Sequence, residues 1–150
     1  MPNRTVHVQA GAVAGCSFAA YRAWGQPGQY VLAEAFGGVV GGIGGGLLPD
    51  LLDTPDSPCH RAEAHSLSIT GTAGYYLGDR LSAWQSSLRD RAQHFAQMRT
   101  SSPDLFPQIG YGLLELLFRF LAGALAGFLA GYASHLGLDS LTPSSLPILY

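Results

Sequence analysis

The fold of this chain is decided by the stretch AFGGVVGGIGGGLL, residues 35–48, in which glycines recur at intervals of four. There are two offset series, one with Gly37, Gly41 and Gly45 and one with Gly38, Gly42 and Gly46. Residues four apart share a helix face, so each series forms a stripe of small residues. Glycine costs a helix about 1 kcal/mol relative to alanine, so such a stripe indicates close packing against another backbone. The alternative is a flexible apolar loop.

A matching stripe lies near the end of the chain, at Gly123, Gly127 and Gly131. We expect the two striped segments to be the second and fourth helices of a bundle and to pack along their glycines. The second helix is predicted from about Gln29 to Leu48, stopping at Pro49, and the fourth from about Leu105 to Asp139. This contact would bring the end of one helix, at Asp50, to His135 and Asp139 in the other.

Two further helices complete the predicted fold, an all-α bundle of about four helices. The first is expected from about Thr5 to Trp24, where the breaker sequence GQPG ends it. The third is expected from near His65 and becomes clearly amphipathic from Asp79. Its apolar positions are Leu81, Trp84, Leu88, Phe95 and Met98, and they lie opposite Arg89, Asp90, Gln93 and Gln97. We expect the apolar face to pack on the protein itself, and contact with a membrane surface is the alternative.

Length and composition indicate one domain over residues 1–150. Only 12% of residues are charged and the net charge is −2, which argues against a nucleic-acid partner. The hydrophobic fraction of 47% and the twenty glycines are typical of helices packed in or on a membrane. Membrane lipid is therefore an expected partner. Residues 112–133 are long enough to span a bilayer, but they contain Glu115 and Arg119, which we expect to pair at spacing four. Residues 31–48 are only marginally long and apolar enough to span a bilayer.

Most of the histidines lie in two patches. The first combines LPDLLD (48–53) with HRAEAHS (60–66), and the second is SHLGLDSLTP (134–143). They hold His60, His65 and His135 beside Asp50, Asp53 and Asp139. Imidazole and carboxylate are the ligands of catalytic zinc and other divalent transition metals. His135 and Asp139 share a helix face, and an imidazole after a long apolar run needs a compensating partner. The alternative for each residue alone is a solvated polar group or a helix contact.

The motifs LPDLLD, HRxxxHS and GYxSHLxLDxLTP resemble those of the YdjM-like family of inner-membrane-associated metal-dependent hydrolases. His7, followed by Gly11 and Gly15, is similar to the opening of that family. The resemblance covers both ends of the chain and leaves out residues 69–107, and Ala62-Glu63-Ala64 replaces the Gly-aromatic-Thr run of the family. It implies an all-helical protein of the inner membrane, related to zinc-dependent phospholipase C and single-strand nucleases, which hydrolyse phosphoesters.

Residues and resemblance together predict a divalent metal, most simply zinc, with a hydrolytic role. The expected metal ligands are Asp50, His60, His65, His135 and Asp139, and His7 and Asp53 are expected either as further ligands or as partners that orient an imidazole. The metal would lower the pKa of a bound water and favour its attack on a phosphoester at or near the membrane. Arg61 is the expected catalytic cation, as a bidentate clamp on the phosphate. A surface salt bridge of Arg61 with Glu63 or Asp56 is the equal alternative.

Two other functions are open at this stage. Glycine stripes could pack between subunits of a membrane homo-oligomer, structural or pore-forming, with no catalysis. A metal could also serve folding alone, with a closed ligand shell and no position for water. Metal content of the purified protein tests the first alternative, and turnover of a phosphodiester tests the second.

Overall fold

A computed structural model describes residues 3–52 and 67–141, and within them the side chains of residues 3–51 and 80–141. These ranges form four α-helices, with no strand among the described residues. The helices are α1 (Arg4–Arg22), α2 (Gly28–Leu52), α3 (Leu67–Ser101) and α4 (Leu105–Ser140). The predicted all-α bundle of four helices is confirmed.

The two striped helices, α2 and α4, form the centre of the bundle with their backbones in contact. A methyl group added to Gly37, Gly41 or Gly45 would overlap the carbonyl oxygen of Phe120, Ala124 or Phe128, respectively. In return Gly123, Gly127 and Gly131 face the backbones of Glu34, Gly38 and Gly42. Residue numbers rise together along both helices, so α2 and α4 run parallel. The predicted contact along the stripes is observed, and the flexible-loop alternative is wrong.

The second glycine series of α2 contacts α1 as well as α4. Gly11 of α1 faces the backbone of Gly42, and Gly15 faces Gly38 and Gly42. Numbers rise along one helix and fall along the other, so α1 is antiparallel to α2. Two stripes on neighbouring faces of α2 therefore place two helices at backbone distance from it.

Helix α2 continues through Pro49 to Leu52, so the predicted stop at Pro49 is wrong. Proline removes one helix hydrogen bond and crowds the carbonyl four residues earlier. Here Pro49 is fully buried, and Asp50 in the added turn reaches His135 on α4. Packing of this last turn offsets the cost of the proline.

Helix α3 packs on α4 with a face that shares Leu81 and Phe95 with the predicted one but is rotated from it. Among residues 80–101, the buried side chains are Leu81, Gln85 and Ala92, whereas Trp84 is 52% exposed. Arg89, expected on the solvated face, instead binds Glu34 of α2. The face is rotated because a carboxylate buried in an apolar helix needs a cation from its neighbours.

Two helices, α2 over Gly28–Leu51 and α4, are long and apolar enough to cross a membrane. Core helices of soluble proteins can meet the same criterion, but only 33% of each apolar window is buried in this bundle. Large apolar side chains such as Phe36, Val40, Leu113 and Leu117 point outward. The bundle therefore presents an apolar surface on its central helices.

Candidate metal site

Three helix ends meet where α1 begins and where α2 and α4 end. His7 comes from the second turn of α1, Asp50 from the last turn of α2, and His135 and Asp139 from the end of α4. The imidazoles of His7 and His135 and the carboxylate of Asp139 are buried, whereas the side chain of Asp50 is 40% exposed. The register of the glycine stripes sets this meeting, because His7 lies four residues before Gly11 and His135 four after Gly131.

The polar atoms of these residues converge on one point. Nε2 of His7 lies 3.5 Å from Oδ1 of Asp139, and Nε2 of His135 lies 3.3 Å from Oδ2 of Asp139. Oδ1 of Asp50 is 3.6 Å from Nε2 of His135. One donor atom from each of His7, His135 and Asp139 falls within 4.8 Å of the others. This group can bind a metal ion.

The backbone of Gly46 fixes the orientation of His135. Nδ1 of His135 lies 2.6 Å from the carbonyl oxygen of Gly46. A carbonyl oxygen only accepts hydrogen bonds, so Nδ1 carries a proton and donates it. The neutral ring then has its lone pair on Nε2, which faces Asp139 and Asp50. A backbone carbonyl that sets the tautomer in this way is the usual support of a metal-binding histidine.

The spacing of the donor atoms suits a shared metal better than direct ion pairs. Charge-assisted hydrogen bonds from nitrogen to carboxylate oxygen are about 2.7–2.9 Å long. The three distances here, 3.3, 3.5 and 3.6 Å, are all longer. Ligand atoms arranged tetrahedrally about 2.1 Å from a metal are about 3.4 Å from one another. The ligand types therefore fit a metal, and these three distances are close to those between atoms that share one.

The two imidazoles also stack on each other. The ring centroids of His7 and His135 are 3.9 Å apart and the planes differ by 23°. Two stacked imidazolium cations would repel each other at this distance. A neutral imidazole is the form that binds metal.

Of the predicted site residues, the structure brings together His7, Asp50, His135 and Asp139. The sequence placed His7 in the set only through the resemblance, because its spacing from the other ligands carries no local signal. Asp53, His60, Arg61 and His65 lie outside the described residues. His94 lies on α3 next to Phe95.

A second polar cluster, which the sequence did not predict, lies at the opposite end of the bundle. Fully buried Glu34 accepts from Nε and Nη2 of Arg89, at 2.9 and 2.5 Å, and from Nη1 of Arg119 at 3.4 Å. Glu115 instead pairs with Arg99 on α3, at 3.3 Å. The predicted pairing of Glu115 with Arg119 is therefore wrong, because each finds its partner on another helix. The sequence feature that could have predicted this cluster is Glu34 itself, a single carboxylate within an apolar segment.

No protein-family model, curated protein or solved structure matches this chain.

Proposed function

We propose that this protein is a metal-dependent hydrolase that acts on a phosphoester at or near a membrane, with zinc as its metal. The observation that supports this most strongly is the grouping of two histidines and one aspartate from α1 and α4, whose possible ligand atoms lie within 4.8 Å of one another. The resemblance of the flanking motifs to a hydrolase family adds the reaction type.

His7, His135 and Asp139 would hold the ion. The carbonyl of Gly46 keeps Nδ1 of His135 protonated, so that Nε2 stays directed at the centre. Burial of these three side chains limits the access of bulk water to the site. When bound, a zinc ion supplies a water of lowered pKa and stabilises negative charge on a phosphoryl group.

Asp50 has a different role in this proposal. Its carboxylate is partly exposed and is the described acidic group on the open side of the site, 3.6 Å from Nε2 of His135. We assign it to accept a proton from the attacking water at a carboxylate oxygen, or to complete the ligand set. Asp53, His60 and His65 are proposed as further ligands, and Arg61 is proposed to clamp the phosphate.

The membrane part of the proposal comes from α2 and α4. Both helices end at the site, so a bilayer around their apolar surfaces would place the metal near one interface. A phosphoester in a lipid headgroup would lie at that depth. The inner membrane is proposed from the resemblance.

Elemental analysis beside a phosphodiesterase assay tests the proposal. We expect the purified wild type to carry zinc and to hydrolyse a generic phosphodiester such as bis-p-nitrophenyl phosphate. His135→Ala should lose both together, whereas His94→Ala, which changes an exposed histidine on α3, should keep both. Equal metal content and activity in the two variants would refute the site.

The alternative is a membrane homo-oligomer packed through its glycine stripes. The stripes of α2 are covered by α1 and α4 of the same chain, so a subunit contact would have to use other surfaces or a rearranged bundle. The molecular mass in detergent, measured by light scattering, tests this alternative. A monomer that carries metal favours the hydrolase.

A further inference from the structure

A groove lies between α1 and α3, with α4 as its floor. Its volume is about 290 Å³, near the lower end of the ~300–1,000 Å³ range of small-molecule sites. The lining residues are Phe18 and Arg22 of α1, Leu81, Ser82 and Gln85 of α3, and Leu125, Ala126 and Leu129 of α4. Both α1 and α3 pack on α4, and the space between them forms the groove.

The groove is polar at one end and apolar along the rest of its length. At the polar end, Nε and Nη2 of Arg22 donate to Oε1 of Gln85, at 3.1 and 2.8 Å. Gln85 in turn donates to the carbonyl of Ala122, at 3.2 Å. From there the groove extends about one helical turn, ~6 Å, toward the middle of the bundle between Phe18, Leu81 and Leu129.

The polar end carries an excess of positive charge. Arg22 lines the groove, and the neighbouring Arg89 and Arg119 share one carboxylate, that of Glu34. Nη2 of Arg89 also donates to the carbonyl of Arg22, at 2.9 Å, so the three cations belong to one connected cluster. The potential at this end of the groove therefore favours an anion.

We propose that the groove binds an anionic membrane phospholipid, with the phosphate at Arg22 and a segment of one acyl chain along the apolar walls. Because Nε and Nη2 of Arg22 donate to Gln85, the phosphate would bind the Nη1–Nη2 edge of the guanidinium through paired, charge-assisted hydrogen bonds. Water in the apolar part would find few polar partners, whereas an acyl chain fills it favourably. The volume holds part of one chain, and the remainder would lie on exposed apolar surface.

This inference rests on the membrane association of the bundle but not on the metal. The groove opens where α1 ends, whereas His7 and Asp139 lie where α1 begins, at the opposite end. Bound lipid is therefore a component separate from the hydrolytic substrate. Loss of lipid with zinc retained, or the reverse, tells the two proposals apart.

The test uses the full-length chain in nanodiscs of phosphatidylcholine with a minor fraction of phosphatidylglycerol. Native mass spectrometry after release from the nanodisc counts the lipid retained per chain. We expect one phosphatidylglycerol on the wild type and a loss of retention on the order of tenfold in Arg22→Gln. Arg91→Gln, which removes an exposed arginine of α3 outside the groove, should keep the lipid.

A second pair of variants tests the apolar part. Ser82→Trp places a ring at the exposed edge of the groove and should abolish retention of the lipid. Ser87→Trp on the same helix lies outside the groove and should leave the lipid bound. Both positions are exposed, and equal helical circular dichroism confirms that both variants fold.

Four outcomes would overturn the proposal. These are no retained lipid on the wild type, equal retention of phosphatidylcholine, equal loss in Arg22→Gln and Arg91→Gln, and displacement of the lipid by inorganic phosphate. The last would mean that the site recognises a free anion and that the apolar walls contribute nothing.

Discussion

Glu34 shows how much depends on one carboxylate in this bundle. It is fully buried, and its charge is compensated by Arg89 from α3 and Arg119 from α4. Such an arrangement joins three helices, because the carboxylate belongs to α2. Desolvation offsets much of the attraction between buried charges, so the network specifies the arrangement of the helices more than it stabilises them.

Removal of this carboxylate should destabilise the protein strongly. Glu34→Ala leaves two partly buried guanidinium groups without their partner, and we expect a loss of about 3–5 kcal/mol in the free energy of unfolding. Denaturant unfolding in detergent, followed by circular dichroism, measures it. Asp90→Asn, at an exposed position of α3, is the control and should change stability by less than about 0.5 kcal/mol. Equal stability of the two variants would contradict the network.

Within the metal site, His7 and His135 are proposed to hold the ion and Asp50 to serve the reaction. His7→Ala should lose zinc as completely as His135→Ala, because both imidazoles face Asp139. Asp50→Asn should keep most of the zinc but lose on the order of 10²-fold in kcat, since its exposed carboxylate is assigned to proton transfer. Zinc content and kcat of the three variants check this. A fall of zinc in Asp50→Asn to the level of His7→Ala would make Asp50 a ligand.

At the scale of helices, the glycine crossings carry the architecture. Ridges of ordinary side chains keep helix axes about 8–10 Å apart. The backbones of α1 and α4 lie against α2 at Gly38 and Gly42, where any side chain would collide. Alanine is the better helix former, so the glycines are retained here for close approach.

Two glycine substitutions in α4 should therefore change the free energy of unfolding in opposite directions. Gly127→Ala places a methyl group on the backbone of Gly38 and should cost about 1–3 kcal/mol by overpacking. Gly110→Ala meets nothing within 4 Å and should stabilise the helix by up to about 1 kcal/mol. Thermal unfolding in detergent compares them. A stabilised Gly127→Ala variant would mean that α2 and α4 lie farther apart in solution.

At the scale of the whole molecule, two buried polar clusters enclose an uncharged section. Residues 35–49 of α2 and 120–134 of α4 contain no Asp, Glu, Lys or Arg. From Arg119 to His135 along α4 the rise is about 24 Å, close to the ~30 Å hydrocarbon core of a bilayer. Charged groups thus flank an uncharged section whose length is close to the thickness of the hydrocarbon core of a bilayer.

A charge on the outer surface of this section should impair membrane integration. Val40→Arg places a guanidinium group at an outward position, 56% exposed, at a cost of about 2.5–3.5 kcal/mol near the bilayer centre. Leu105→Arg makes a similar change at the start of α4, outside the section, and should be tolerated. Resistance to alkaline extraction from membranes measures integration. Equal behaviour of both variants would indicate that this surface does not contact lipid.

Removal of the metal should leave the bundle folded. The glycine crossings along the length of α2 and the Glu34 cluster hold the helices without an ion. We expect a chelator to abolish hydrolysis while the helical circular dichroism signal stays near its starting value. Unfolding on chelation would show that the metal serves folding, because its binding energy would then be folding energy.

The sequence by itself determined the class of fold and the meeting of the second and fourth helices. Spacing of four is a local property, since it places glycines on one helix face whatever the rest of the chain does. The same periodicity placed Asp50 close to His135 and Asp139, because the three residues follow the ends of the stripes.

Only the tertiary structure decided the partners of the buried charges and the place of His7. Glu115 and Arg119 are four apart and were expected to pair, yet they bind Arg99 and Glu34 across the bundle. The turn after Pro49 likewise forms because α4 packs against it. These ion pairs depend on the direction and rotation of helices that are far apart in sequence. A buried charged group therefore pairs with whichever opposite charge the folded bundle places next to it.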